Sequence, residues 1–389
     1  MTQTAPGPWS NLNALLKEGL GQGVYTAAVA LVGLKGELLW EGFAGRVSND
    51  PEADPVTRET VFDLASLTKP LATALGVLCL LHEGKLALDA PLGEVLPFGW
   101  LPEDKKPVTI ENLLTHRSGL PAWRPFYEQL LKAPAHERRQ LLPRLAAAEP
   151  LERPPDTVTL YSDLGFMLLA AVVETVSGLS MDRFCEERIY YPLGLKILGF
   201  KPLPILTQEI LPTENRKPKT ENRIYAATEA GLIPHRPMAG EVHDENAWAA
   251  GGVAGHSGLF GPGFEVFNLI ATLYRAYHGE PIKGFQPFPP ELVRRFFTPI
   301  PGGRALGFDV PGADAAQCSP GRFFSPHSVG HLGFTGASFW LDLELGQMVV
   351  LLTNRVHLGR DDKTRIQSFR PRFHEAASLA LGFTRTFRR

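Results

Sequence analysis

Leu64-Ala65-Ser66-Leu67-Thr68-Lys69-Pro70, followed by the apolar run Leu71 to Leu81, organises the reading of the rest of the chain. Ser66 and Lys69 stand three residues apart at the predicted start of a helix. That spacing puts both side chains on one face, with Cβ atoms roughly 5–6 Å apart. A serine hydroxyl is a poor nucleophile until a neighbouring base takes its proton. A lysine is such a base only when neutral. Burial and the positive end of a helix dipole both push its pKa in that direction. The helix after Pro70 is too apolar for a surface helix, so Lys69 is expected to be at least partly desolvated. Ser and Lys at this spacing are common on solvated helices, so the pair needs support from elsewhere in the chain.

Upstream, Leu12 to Leu20 has apolar residues at helical spacing and stops at Gly21. Thr26 to Val32 and Leu38 to Ala44 read as strands of a hairpin turning at Lys35-Gly36. Ser48 to Glu59 is a polar, proline-containing loop. Downstream of Leu86 the texture is helical and proline-punctuated. Thr109 is an expected N-cap for the helix through Leu114, which ends at Thr115-His116-Arg117-Ser118-Gly119-Leu120-Pro121. Ala135 to Leu142 is helical, and Pro143 is expected to kink it or restart it as a short helix through Ala148. Leu164 to Val176 reads as an apolar helix closed at Gly178, and Pro202 to Pro237 as a long surface excursion. Helices follow at Phe264–His278 and Pro290–Phe297. Ala337 to Leu343 and Gln347 to Thr353 form a hairpin around Glu344-Leu345-Gly346, and a closing helix starts at Pro371. Strands at both ends with helices between them predict an α+β fold. One antiparallel sheet is built from N- and C-terminal strands, flanked by helices, with an inserted mainly helical lobe. The expected division is a sheet-containing lobe over 1–85 and 250–389 and a helical lobe over 86–249, with the active site in the cleft between them.

The chain has 389 residues, 44% hydrophobic and 21% charged, with a formal net charge of −2. Such a balance gives no general attraction to nucleic acid. Arg385, Arg388 and Arg389 form only a small basic tail. Cys79, Cys185 and Cys318 are odd in number and scattered, so no disulfide framework is indicated. Met1 to Trp9 lacks the features of a signal peptide, and the apolar run after Pro70 stops at His82, short of a bilayer span. The expectation is a cytoplasmic protein without an integral membrane segment.

Three further stretches carry chemistry. Tyr161-Ser162-Asp163 precedes the apolar helix. Beside Lys69, Tyr161 would be a second base or a proton carrier; otherwise it is an interface tyrosine, with Asp163 capping the helix. His331-Leu332-Gly333-Phe334 enters the C-terminal hairpin, where a glycine lets an acyl substrate lie along the strand edge and a backbone N–H serve as oxyanion donor. Taken alone, a His-x-Gly there is more often a surface histidine and a strand-entry glycine. The run Glu241–Phe260 holds His243, Asp244 and His256 among several glycines. Its spacing fits no zinc or calcium pattern, and a structural loop with capped turns is the favoured reading.

Together, Ser-Leu-Thr-Lys at 66–69, Tyr-Ser-Asp at 161–163 and His-Leu-Gly at 331–333 resemble the three motifs of the serine β-lactamase superfamily. The branch is that of class C β-lactamases, D-alanyl-D-alanine peptidases and related carboxylesterases. The Leu113–Pro121 and Gly330–Ser338 segments are similar to it as well, and the resemblance runs from about residue 24 to 380. It implies Ser66 as acylated nucleophile, Lys69 as its base and Tyr161 as shared proton carrier. The backbone N–H groups of Ser66 and Phe334 would form the oxyanion hole, with Asp163, His331 and Gly333 at the substrate. It implies two-step acyl transfer on a small-molecule or peptide-like substrate, with no metal or cofactor. Gly240–Phe260 resembles a branch tied to cell-wall peptide or amide recycling and would line the cleft.

Two departures shape the expected activity. Asp163 replaces the usual asparagine, losing an amide donor, and would raise the pKa of Lys69 if the two pair. His331 replaces lysine and supplies less positive charge at neutral pH. Both favour an esterase or a peptide or amide hydrolase. The alternative is a class C-like β-lactamase or a penicillin-binding protein with little turnover. A metallohydrolase using His243, Asp244 and His256 ranks lower. An α/β-hydrolase is disfavoured because Gly255-His256-Ser257-Gly258-Leu259 misses the final glycine of Gly-x-Ser-x-Gly.

Overall fold

The computed structural model describes residues 7–97, 99–203, 223–229, 238–281, 287–312 and 319–387. Alternation along β1 (Ala27–Leu34) sets the layers. Ala28, Ala30 and Val32 face one way and Ala27, Val29 and Leu31 the other, and all are buried. β1 is therefore a central strand. It lies between β2 (Glu37–Gly45) and β8 (Gln347–Thr353), and β7 (Ser338–Asp342) and β6 (Ser328–Leu332) continue an antiparallel sheet of order β2-β1-β8-β7-β6. The β1–β2 turn is at Lys35-Gly36, both with positive φ.

One face is covered by the helices Ser10–Gly21 and Thr364–Ala380, which bury Leu12, Leu16, Phe369 and Phe373 against Ala30, Trp340 and Leu351. The other face packs on Gly263–His278 and merges into a single apolar core that reaches the helix Asp163–Ser177. A smaller antiparallel sheet joins β3 (Val61–Asp63), β5 (Leu259–Pro262) and β4 (Gly199–Phe200). The α+β class and the sheet assembled from both ends are as expected. The two-lobe division is a proposal. Within it β4, from the helical part, pairs with strands of the other part, and the core is continuous across the boundary.

Several boundaries differ from expectation. Ser66 sits in a 3₁₀ turn, Ala65–Leu67, followed by a π-helical segment Lys69–Ala74 and then a helix Leu75–His82. As one piece, Ala65–His82 has the length and composition of a membrane span, yet 83% of it is buried within the fold, as suits a core helix. Pro143 does not restart its helix, which runs continuously over Arg138–Ala148. The proline forfeits one backbone bond, while Leu142, Ala146 and Ala147 stay buried. The last helix begins at Thr364, about two turns before Pro371, with Asp362 Oδ1 accepting the Thr364 N–H at 2.9 Å. Ile366, Phe369, Arg370 and Phe373 are its buried stripe, a helical pattern that outranked the proline. β6 was not expected as a separate strand. The 202–237 excursion, Cys318 and Arg388-Arg389 lie largely or wholly outside the described residues; within the excursion, the Tyr225–Ala226 segment bonds to β3.

Candidate active site

The Ser66 turn is held from behind. Ala65 adopts φ +48°, a left-handed conformation that costs a non-glycine residue roughly 1–2 kcal/mol. Buried Asp63 accepts the Ala65 N–H at 2.8 Å, and the Thr68 hydroxyl donates to the Ala65 carbonyl at 2.6 Å. The other oxygen of Asp63 accepts the His243 N–H at 2.6 Å, tying this turn to the 238–260 segment. Nothing in the sequence marked Asp63, because an aspartate closing a short strand has no distinguishing pattern.

Lys69 is fully buried. Its Nζ donates to Ser66 Oγ at 3.0 Å and to the His256 carbonyl at 3.1 Å, and stands 2.7 Å from Asp163 Oδ1. Burial opposes its charge, but Asp163, and after it Tyr161, outweigh burial and push the pKa up to about 12. Burial acts to lower the lysine pKa, as expected, but the anticipated Asp163–Lys69 pair is present and helps to outweigh it, so the lysine rests as a cation. Asp163 does not cap the helix. Ser162 does, through Gly165 N–H, leaving Asp163 in the first turn, where the helix dipole favours its negative charge.

Tyr161 contacts the same cluster. Lys69 Nζ lies 4.9 Å from its ring centre, and Lys69 and the Ser66 hydroxyl both act on its own hydroxyl, each favouring the ionised form. Burial raises its pKa against the opposing pull of Lys69, so it rests as a phenol. The 115–121 stretch explains its placement. His116 Nδ1 accepts the Ser162 N–H at 3.0 Å, Pro121 O accepts the Ser162 hydroxyl at 2.6 Å, and the His116 ring lies 4.6 Å from that of Tyr161.

His331 is buried, not at the surface, with its ring 6.0 Å from Tyr161. Its Nδ1 pairs with the Leu332 carbonyl at 2.9 Å and its Nε2 is buried without a partner. Burial lowers its pKa to about 4 despite Asp309, so it carries no charge at neutrality. The cation near it is Arg304, ion-paired with Asp309 and 5.0 Å from the Tyr161 ring centre. Arg304 comes from an irregular loop and left no sequence signal. Gly333 allows a close approach of backbone to backbone. A Cβ there would meet the Leu64 carbonyl at 2.8 Å, so the glycine lets the hairpin turn press against the nucleophile segment. Phe334 follows on that turn, and its N–H has no acceptor among the described residues.

The third cluster does not converge. His243 pairs with Glu229 at 2.6 Å, whereas Asp244 pairs with His256 at 2.9 Å and caps Glu245–Ala249. Among the described residues, no group of three His, Cys, Asp or Glu is placed to hold a metal ion. Gly255 in this segment admits the Phe166 carbonyl to 2.0 Å of where a Cβ would stand.

His331, and His374 on the last helix, are buried with pKa values lowered to about 4, and burial holds His116 well below its ordinary value too. The unfolded chain binds these protons near pH 6.5 and the folded one does not, so stability falls as pH drops from about 6.5 towards 4. The expected slope is on the order of 1 kcal/mol per pH unit for each histidine. Urea midpoints across that range should show it, and His374→Gln, away from the reacting groups, should remove about one proton's worth. An unchanged slope would show that His374 is protonated in the folded state.

The profile of the Beta-lactamase family matches residues 12–368. A protein of Escherichia coli (strain K12), named provisionally as a D-alanyl-D-alanine carboxypeptidase, is 34% identical over 320 residues, covering 77% of this chain and 70% of the relative. Among solved structures, a penicillin-binding protein homologue from Caulobacter crescentus superposes with a TM-score of 0.70 at 17% identity, over 97% of this chain and 99% of the other. EstCE1, a hydrolase with promiscuous acyltransferase activity, gives 0.67 at 20% identity, over 94% and 98%.

Proposed function

Because this chain belongs to the Beta-lactamase family, within the serine β-lactamase and penicillin-binding-protein superfamily, and is a serine hydrolase, we propose that it works through an acyl-enzyme on Ser66. The substrates in this reading are esters or cell-wall-type peptides and amides. The observation that carries it is the buried Lys69 bridging Ser66 Oγ and Asp163 Oδ1.

Since the resting lysine is cationic, it acts as a relay. As Ser66 Oγ attacks the acyl carbon, Lys69 passes one proton to Asp163 and takes the one leaving Ser66. Tyr161, within hydrogen-bond reach of both Ser66 and Lys69, carries a proton to the departing group, which leaves neutral. Water then attacks the acyl-enzyme by the reverse transfers. The developing oxyanion is met by the N–H groups of Ser66 and Phe334.

Lys69 and Arg304, the two cations that lie against Tyr161, are each matched by a carboxylate, Asp163 and Asp309 respectively, while His331 is neutral. The relative's name points to a D-alanyl-D-alanine end, and EstCE1, of similar fold, is a hydrolase with promiscuous acyltransferase activity.

The test is intact-mass analysis after a fluorophosphonate, with peptide mapping. One adduct on Ser66, followed by turnover of a panel of esters, is the expected result. A folded protein with no adduct overturns the reading. An adduct with no turnover leaves a penicillin-binding protein. For Asp163→Asn, burial becomes the dominant influence on Lys69 and its pKa falls. The proton acceptor is then a neutral lysine and no longer a carboxylate, so the acid limb of kcat/KM against pH should move up by at least about one unit. An unmoved limb would show that Asp163 does not control the lysine.

A further inference from the structure

Arg370 is buried in the helix Thr364–Ala380, 6% exposed, and has no carboxylate partner among the described residues. Its guanidinium reaches the turn between β6 and β7. Nη2 donates to the carbonyls of Gly333 at 2.9 Å and Ala337 at 3.0 Å, and Nε to that of Gly336 at 3.3 Å. A buried charge without a counter-ion is costly, and here burial, with Arg355 nearby, pulls the guanidinium pKa down to about 9. Capping turn carbonyls does not require a charge, since a neutral amide would do it.

The location gives the charge a use. The Gly333 carbonyl also accepts the Gly336 N–H at 3.0 Å, so two donors converge on it. The other end of that same peptide unit is the Phe334 N–H, which is left without an acceptor. Donors on an amide oxygen polarise the amide and strengthen its N–H as a donor. The turn's distance from Ser66 is set by other contacts: Thr335 Oγ1 donates to the Asp63 carbonyl at 2.8 Å, and Gly333 abuts Leu64. Arg355 holds the next carbonyl, that of Phe334, at 2.9 Å.

We propose that Arg370 is a positioning residue for acyl transfer, aligning and polarising the Gly333–Phe334 peptide so that its N–H binds the oxyanion formed when Ser66 attacks. This rests on the acyl-enzyme reading above. The substrate does not touch Arg370, so its effect falls on the acylation step and not on ground-state binding.

The experiment compares Arg370→Lys with Arg370→Gln in the full chain. Both replacements can donate to the turn, but only lysine keeps the charge. The readouts are thermal midpoint, the burst rate and KM with a p-nitrophenyl ester, and inhibition by an aryl boronic acid, whose tetrahedral Ser66 adduct mimics the intermediate. Arg370→Gln is expected to lose roughly tenfold to a hundredfold in burst rate, less than deletion of an oxyanion donor, with KM within about twofold. Boronate affinity should weaken by a similar factor, and Arg370→Lys should recover much of the loss. A folded Arg370→Gln protein with the wild-type burst rate and boronate affinity overturns the proposal. So does a Lys variant as slow as the Gln variant at equal thermal midpoint. If Arg370→Gln does not fold, a second neutral variant, Arg370→Met, decides: wild-type boronate affinity or a loss confined to KM overturns the proposal, and a burst rate and affinity lowered together support it. Failure of wild-type Ser66 to take a fluorophosphonate instead removes the acyl-enzyme reading itself.

Discussion

Ser66→Ala is expected to lose turnover by a factor of roughly 10⁴–10⁶ and to lose fluorophosphonate labelling altogether. The fold should survive. Ser66 is only partly buried, its hydroxyl bonds with Lys69 and Tyr161, and Lys69 keeps the His256 carbonyl and Asp163. Thermal midpoint should therefore stay within a few degrees while activity disappears. Ester hydrolysis near the wild-type rate in this variant would show that another group carries the chemistry.

Lys69→Met is expected to fail in two separable ways. The proton path from Ser66 is cut, with a loss of about 10²–10⁴ in acylation, the range for removal of a positioned acid–base group. Asp163, 17% exposed, is also left without its counter-ion, and breaking a buried pair costs about 3–5 kcal/mol. Adding Asp163→Asn should restore most of the stability and none of the rate. Urea titration and burst kinetics on the wild type, both single variants and the double variant give the cycle. A double variant as unstable as Lys69→Met would locate the cost in packing, not charge.

Much of this was legible because particular residues obey local rules. The β1–β2 hairpin follows from alternation and its Lys-Gly turn, and the Ser66–Lys69 contact from a three-residue spacing that survives even though 3₁₀ and π turns replace the α-helix. The charge of Lys69 was not legible as first expected. Burial was read from the apolar run, but the outcome depends on Asp163, distant in sequence and 2.7 Å away in space. Arg304, Asp63 and Arg370 escaped for a related reason. Each acts on backbone or on a partner from another element, and such pairings leave no periodicity. Pro371 misled because it was taken as a start, while the buried stripe from Ile366 onward shows that the helix absorbs it.

The joining of the two ends of the chain has a consequence for biosynthesis. Asn354 accepts the N–H groups of Thr26 and Ala27, a contact spanning 328 residues in the first case, and β1 pairs along its length with β8. On the ribosome, β1 and β2 emerge early and wait as a two-stranded ribbon, which is marginal alone in water. Closing a loop of that length is slow and exposes unpaired strand edges to aggregation meanwhile. The peptide at Gly333–Phe334 reaches the Ser66 turn only when this closure occurs. In the acyl-enzyme reading proposed above the site is incomplete until then, and onset of ester hydrolysis during refolding is expected to coincide with the arrival of the last strands.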